Sequence, residues 1–193
     1  MGDTPAMRVL GVDPGTRLAG WAVLAEGGAA GEPTLVASGT LRLDRGRPDA
    51  AERLRRLHDG LGEVLDAHRP DVVALEAAYF GVNARSALKL GEARGAVLLL
   101  AATRGLAVAE LSPATVKRRV AGNGNASKEQ VAALVRVRLA LDPAHDFATP
   151  DESDAAAVAL CALVERALPA AAASPVRRRR RTLPPGARFQ DGS

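Results

Sequence analysis

Two short apolar runs in this sequence each end on an acid. Val9-Leu10-Gly11-Val12 closes on Asp13, and Val72-Val73-Ala74-Leu75 closes on Glu76. Runs of this length bounded by turn-formers are strand candidates, and Pro14-Gly15-Thr16 supplies the turn after the first. A charged acid at the end of a buried run is costly unless something positive meets it. Two further acids, Asp151 and Asp154, stand behind Thr149-Pro150 where a helix should begin. At i and i+3 they share one face of its first turn, and the helix dipole there favours their ionised forms. A hard divalent cation is the simplest positive partner for several clustered carboxylates. Each acid also has a plainer reading: Asp-Pro-Gly is ordinary turn chemistry, Glu76 can reach water at a strand end, and acids suit any helix N-terminus.

The intervals between the acids set the order of elements. Strands are expected over Met7–Val12, Gly20–Ala25 and Leu35–Leu43, joined by short turns as an antiparallel meander. Leu54, Leu57, Leu61, Val64 and Leu65 recur at helical spacing within Asp49–His68, and Pro70 ends that helix before the Val72–Glu76 strand. A long helix runs from about Asn83 to Arg104, with Ala87, Gly91 and Gly95 in one row of small residues. Leu106–Leu111 reads as a fifth strand, Ser112-Pro113 as a helix cap with proline in the first turn, and Ser127 with Gln130 as a capping box. Thr149 with Glu152 makes another capping box for the last helix. Three strands, helix, strand, helix, strand and then helices give an α/β architecture: a mixed five-stranded sheet flanked by helices on both faces.

Composition fits one domain with an Ala, Val and Leu core, since aromatics are only 3% of 193 residues. No apolar run approaches a membrane span and the N-terminus lacks the pattern of a signal peptide, so a cytoplasmic protein is expected. Cys161, the sole cysteine, sits in an apolar helix pattern and is read as inert packing. Trp21 is likewise read as core. The net charge of +4 is uneven: residues 169–193 hold six Arg and one Asp, which leaves 20 basic and 21 acidic residues in the rest. Residues 1–6 form an extension, 7–168 the domain, and 169–193 a proline- and arginine-rich tail expected to be disordered. Within the body, residues 85–128 carry eight cations against Glu92 and Glu110. Such a stretch is either a nucleic-acid surface or a set of solvated helix faces.

Taken together, the segments Leu10-Gly-Val-Asp-Pro-Gly-Thr-Arg-Leu-Ala-Gly-Trp, Leu75-Glu-Ala-Ala-Tyr-Phe-Gly-Val-Asn, Ser86-Ala-Leu-Lys-Leu-Gly-Glu-Ala-Arg-Gly, Val116-Lys117 through Gly122-Asn-Gly, Lys128, and Asp151-Glu-Ser-Asp-Ala-Ala-Ala-Val-Ala resemble the RuvC family of Holliday junction resolvases. The resemblance spans residues 7–168. It implies a ribonuclease H-like fold and a structure-selective endonuclease that nicks four-way DNA junctions in pairs during recombination and repair. The ends it leaves would be 5′-phosphate and 3′-hydroxyl. The family's metal-binding acids map onto Asp13, Glu76, Asp151 and Asp154, and the all-carboxylate set favours two ions of Mg²⁺ or Mn²⁺.

The same resemblance places Tyr79 against unpaired junction bases, with Phe80 beside it. It assigns Lys117 and Lys128 to the DNA backbone; Arg85, Lys89, Arg118 and Arg119 are added from local charge. His145, in the loop before the last helix, is either near the site or an ordinary loop histidine. The Gly122-Asn123-Gly124-Asn125 loop is either a phosphate cradle or a simple turn. The expected partners are a DNA junction, a second copy of the chain and a branch-migration helicase complex. Two rival readings are a ribonuclease H-like protein that binds junctions without cutting, and a fragment of an actin-like ATPase whose phosphate loop also begins Asp-x-Gly-Thr. The four acids argue against the first and the length against the second.

Overall fold

The computed structural model describes residues 6–27, 31–77, 84–142 and 145–165. The extension before residue 6, Tyr79, Phe80, the side chain of Arg85 and the tail from 169 lie outside them. Five strands, β1 (Arg8–Asp13), β2 (Leu18–Ala25), β3 (Thr34–Arg42), β4 (Val72–Glu76) and β5 (Ala107–Leu111), form one sheet in the order β3-β2-β1-β4-β5. β1 pairs antiparallel with β2 and β2 with β3, as the meander expectation required. β4 joins β1 in parallel and β5 joins β4 in parallel. The carboxyl ends of β1, β3, β4 and β5 therefore share one edge of the sheet.

Side chains alternate across the sheet and build two cores. Val9, Ala22, Leu24, Val72 and Ala74 face α3 (Pro113–Ala121), α4 (Lys128–Arg138) and α5 (Pro150–Glu165). Leu10, Val12, Val23, Val73 and Leu75 face α1 (Ala50–His68) and α2 (Ala84–Thr103). β1 and β4 are buried on both faces, which is why they read as unbroken apolar runs. α5 is buried all round from Ala155 to Ala162, and five of those eight residues are alanine. Small side chains let the helix axis come down onto the sheet. Gly11 and Gly20 complete the fit: a Cβ on Gly11 would lie 2.1 Å from the Ala155 carbonyl oxygen, and one on Gly20 only 1.9 Å from that of Asp151.

Local chemistry caps α1, α3 and α4 where the sequence indicates. Asp49 caps α1 by accepting from the Glu52 N–H at 2.8 Å, and Arg69 closes it in a left-handed conformation. Ser112 caps α3 ahead of Pro113, and Ser127 with Gln130 forms the full capping box of α4. The start of α5 departs from expectation. Thr149 accepts from the Glu152 N–H at 3.2 Å, but the Glu152 carboxylate accepts from Ala148 instead of the capping residue, at 2.8 Å. The carboxylate thus ties the incoming loop to the first turn.

Two other expectations shift in detail. β2 starts at Leu18, because its pairing with Arg42 of β3 holds two more residues in the ladder. Trp21 is only half-buried, its ring 5.9 Å from that of His68. Cys161 is fully buried, as expected for packing.

The α5 contact makes a prediction. Gly20→Ala and Gly11→Ala should each lose about 3 kcal/mol or more of unfolding free energy, because backbone atoms must move to admit the methyl. Gly62→Ala in α1, where the added Cβ meets only Arg104 at 3.6 Å, should be neutral or gain up to about 1 kcal/mol. Urea denaturation of the three variants checks this, and equal stabilities would show that α5 does not sit this close.

Candidate active site

Strand alternation sends Asp13, after Val9 and Gly11, to the α5 face of the sheet. Glu76, after Val72 and Ala74, goes to the same face. Because Val12 lies opposite Leu75 in the parallel β1–β4 ladder, the two acids leave adjacent strand ends at one level. The first turn of α5 delivers Asp151 and Asp154 from above, held there by the Gly20 contact. All four sequence-selected carboxylates are thereby brought to one edge, each partly buried.

Their electrostatics record the convergence. The Asp13 carboxyl is pushed up to about 7, first by burial and then by Asp154 and Asp151, with Lys128 pulling the other way. Glu76 is also raised, first by burial and then by Asp154, against the pull of Lys128 and Lys117. Lys128, in the first turn of α4, sets its ammonium 2.5 Å from Asp154, and that hydrogen bond raises its own affinity for the proton. Glu76, Lys117, Lys128 and Asp154 line a cleft of about 70 Å³. The two lysines that sequence reasoning selected are thus beside the acids.

The donor set suits a hard cation: four carboxylates, two of them holding their protons more tightly than usual because of burial and then of the neighbouring acids. Among the described residues no group of three such side chains stands in ready ligating geometry, and Asp154 is turned to Lys128. The side chains share one field but do not form a closed cage. In chemistry the site fits divalent metal.

The remaining selected residues divide. Lys89 is exposed on α2, on the opposite face of the sheet, and lines a small cleft with Gly15, Thr16 and Arg53. Arg118 and Arg119 are exposed in the last turn of α3. His145 packs edge-on against Phe147, ring centroids 5.2 Å apart, in the manner of a loop histidine. Asn123 accepts from the Asn125 N–H at 3.0 Å, a local turn. Tyr79 and Phe80 lie outside the described residues.

Arg94 is the residue that charge counting misplaced. Its side chain is only 14% exposed, donates to the Glu76 carbonyl at 2.7 Å and pairs with Glu110. It braces the end of β4 instead of presenting charge to solvent. Its place between the buried Ala93 and Val97 was the available signal. Arg104 is similarly spent on Asp66.

Comparison with known proteins bears on the family and the fold. The family described as "Crossover junction endodeoxyribonuclease RuvC" matches residues 9–162. A crossover junction endodeoxyribonuclease RuvC of Halorhodospira halophila is 47% identical over 175 residues, covering 89% of this chain and 99% of its own. The chain belongs to the RuvC family. The structure of Thermus thermophilus RuvC superposes with a TM-score of 0.72 at 38% identity, covering 83% of this chain and 96% of that one. The same protein in complex with a Holliday junction substrate gives 0.74 at 37%, covering 83% and 95%. The fold is thus the RuvC form of the ribonuclease H-like α/β fold. The RuvC family is one of divalent-metal-dependent nucleases.

The raised Asp13 carboxyl has a measurable consequence in metal-free protein. Between its ordinary value of 3.8 and about 7, the folded chain holds a proton that the unfolded chain has released. Unfolding free energy therefore falls as pH rises through that window, by up to about 4 kcal/mol. Asp13→Asn should melt higher than the parent at pH 8 in excess chelator, with the gap closing near pH 4. A gap independent of pH would show that Asp13 is not strained by its neighbours.

Proposed function

We propose that this chain is a homodimeric endonuclease that resolves four-way DNA junctions by paired, symmetric nicking in recombination and repair. The observation that carries the reading is the meeting of Asp13, Glu76, Asp151 and Asp154 at one sheet edge, flanked by Lys117 and Lys128, in a chain of the RuvC family. The proposed cofactor is a pair of Mg²⁺ or Mn²⁺ ions. Asp13, Glu76, Asp151 and Asp154 would hold them, with Asp13 in the field of the other three acids. When bound, a divalent cation supplies Lewis-acid activation of water and neutralises charge on the phosphodiester oxygens.

The protein's own part is positioning and charge balance. Asp13 and Glu76 stand on rigid strand ends and α5 on a packed helix, so the carboxylates change little in place as charge develops. Arg94 holds the Glu76 backbone. Lys117 and Lys128 lie at the mouth of the cleft, where phosphate can take over Lys128 from Asp154. Water attack on phosphorus with departure of the 3′-oxygen leaves 5′-phosphate and 3′-hydroxyl ends. Tyr79, with Phe80, is proposed to stack on unpaired bases, and Arg85, Lys89 and Arg118 to meet the DNA backbone.

Two-fold symmetry would supply the second nick. Leu88, Gly91, Gly95 and Leu99 share one exposed stripe of α2, with Leu88 at 66% and Leu99 at 62% exposure. An added Cβ at either glycine meets nothing within 4 Å among the described residues. A second copy laid along this stripe would cover it. A branch-migration helicase complex is the further partner proposed.

The test uses a mobile synthetic junction with Mg²⁺, Mn²⁺ or EDTA. Paired nicks should need metal and should fall by at least about a thousandfold in Asp13→Asn, while junction binding persists. Cleavage in EDTA, or full activity in the variant, would overturn the mechanism. Light scattering should give a dimer at micromolar concentration, and Leu88→Glu with Leu99→Glu should give monomers that bind but do not nick in pairs.

A further inference from the structure

The loop from β3 to α1 is held on both sides. The Leu43 N–H donates to the Arg17 carbonyl at 2.8 Å, and Arg17 Nε donates to Asp44 at 2.8 Å. Arg56 Nη1 donates from α1 to the carbonyls of Arg45 at 2.7 Å and Leu43 at 3.4 Å. The loop is thereby pinned to the turn that follows Asp13. Its acids are all committed. Asp44 is taken by Arg17 and Arg42, Glu52 by Arg55 and Arg56, and Asp49 by the α1 N-terminus.

Three arginines are left over. Arg45 and Arg47 are exposed and Arg53 is half-buried, and none has a side-chain partner among the described residues. Gly46 and Arg47 follow each other at positive φ, 77° and 53°, and both are exposed. β3 ends at the same end of the sheet as Asp13 and Glu76, two strands from β1, and leads into α1, so this cluster stands at that end on the α1–α2 side. Arg53 shares the cleft against Gly15 and Thr16 with Lys89.

We propose that Arg45, Arg47 and Arg53 form a second DNA-backbone contact, which grips phosphates of a junction arm on the α1–α2 side of the acidic edge. The proposal rests on the junction-cleaving reading. The chemistry of the patch selects its occupant. Guanidinium groups donate in pairs to phosphate oxygens, and here they are offered on a braced backbone, so little order is lost on binding. A docked protein would need an apolar centre. None of the large exposed apolar side chains of the described residues, among them Val36, Leu88 and Leu99, lies in residues 43–53. With Lys117 and Lys128 on the other face, cations flank the acids on both sides, and DNA can cross the edge without being repelled by it.

Salt-dependent binding tests this. Dissociation constants of the full chain for a synthetic four-way junction are measured in EDTA between 50 and 200 mM NaCl. The comparison is among wild type, Arg45→Ala/Arg47→Ala/Arg53→Ala, the same triple with lysine, and Arg55→Ala as a paired surface control. The alanine triple should bind about tenfold more weakly and lower the slope of log K against log salt by about 2–3, close to 0.9 per lost phosphate contact. The lysine triple should recover most of the slope, and Arg55→Ala should match wild type. A folded alanine triple with wild-type affinity and slope overturns the proposal. Failure of wild type itself to bind the junction would overturn the underlying reading instead.

Discussion

Everything at the acidic edge depends on how closely α5 lies on β1 and β2. The sheet supplies two of the four carboxylates and the helix the other two, so the site exists only while those layers touch. Close contact is made by removing side chains: Gly11 and Gly20 on the strands, and a run of alanines on the helix. Such an interface buries little area per residue, but it fixes height and register with backbone atoms, which do not change rotamer. A larger residue on either side would still leave a folded sheet and helix. It would lift Asp151 and Asp154 away from Asp13.

That closeness has an electrostatic cost that packing must carry. Asp13 is raised to about 7 by burial and by its neighbours, and Glu76 is raised as well. A site arranged for stability would separate these groups or protonate them. Here the unfavourable field is held in place by an apolar core on each face of the sheet, and it is the same field that attracts cations. Lys128 answers part of it within the chain. It comes from the first turn of α4, where the Ser127–Gln130 capping box fixes the backbone that carries it. A small piece of helix-end chemistry thus decides where a positive charge meets the acids.

The sequence made the strands, the helices and the four acids legible because those features repeat with a period or mark an end. The apolar runs before Asp13 and Glu76 are visible because strands buried on both faces cannot alternate. Gly11 and Gly20 were not legible as contact points, since a glycine in a strand also signals a bulge or a bend. Charge counting failed differently. Arg94 and Arg104 sit in a basic stretch of sequence, yet the fold gives each an acid far along the chain, Glu110 and Asp66. Conversely, residues 42–56 hold six arginines against three acids, an excess that a count confined to residues 85–128 passes over. Among the described residues, pairing by position leaves Arg45, Arg47 and Arg53 without a side-chain partner.

α2 draws these threads together. It starts just beyond β4, braces Glu76 through Arg94, and buries Ala93, Val97, Leu100 and Ala101 against the sheet. Its opposite face exposes Leu88 and Leu99 around two glycines, each of which costs a helix about 0.5–1 kcal/mol relative to alanine. Nothing within the described residues uses the space those glycines leave open. If a second copy fills it, one rigid helix joins the partner surface to the strand end that carries Glu76. The distance between two acidic edges would then be fixed by helix packing instead of by loops. An enzyme that must nick two strands of one junction needs that spacing to be stiff, because a flexible link would let the second cut drift from the first.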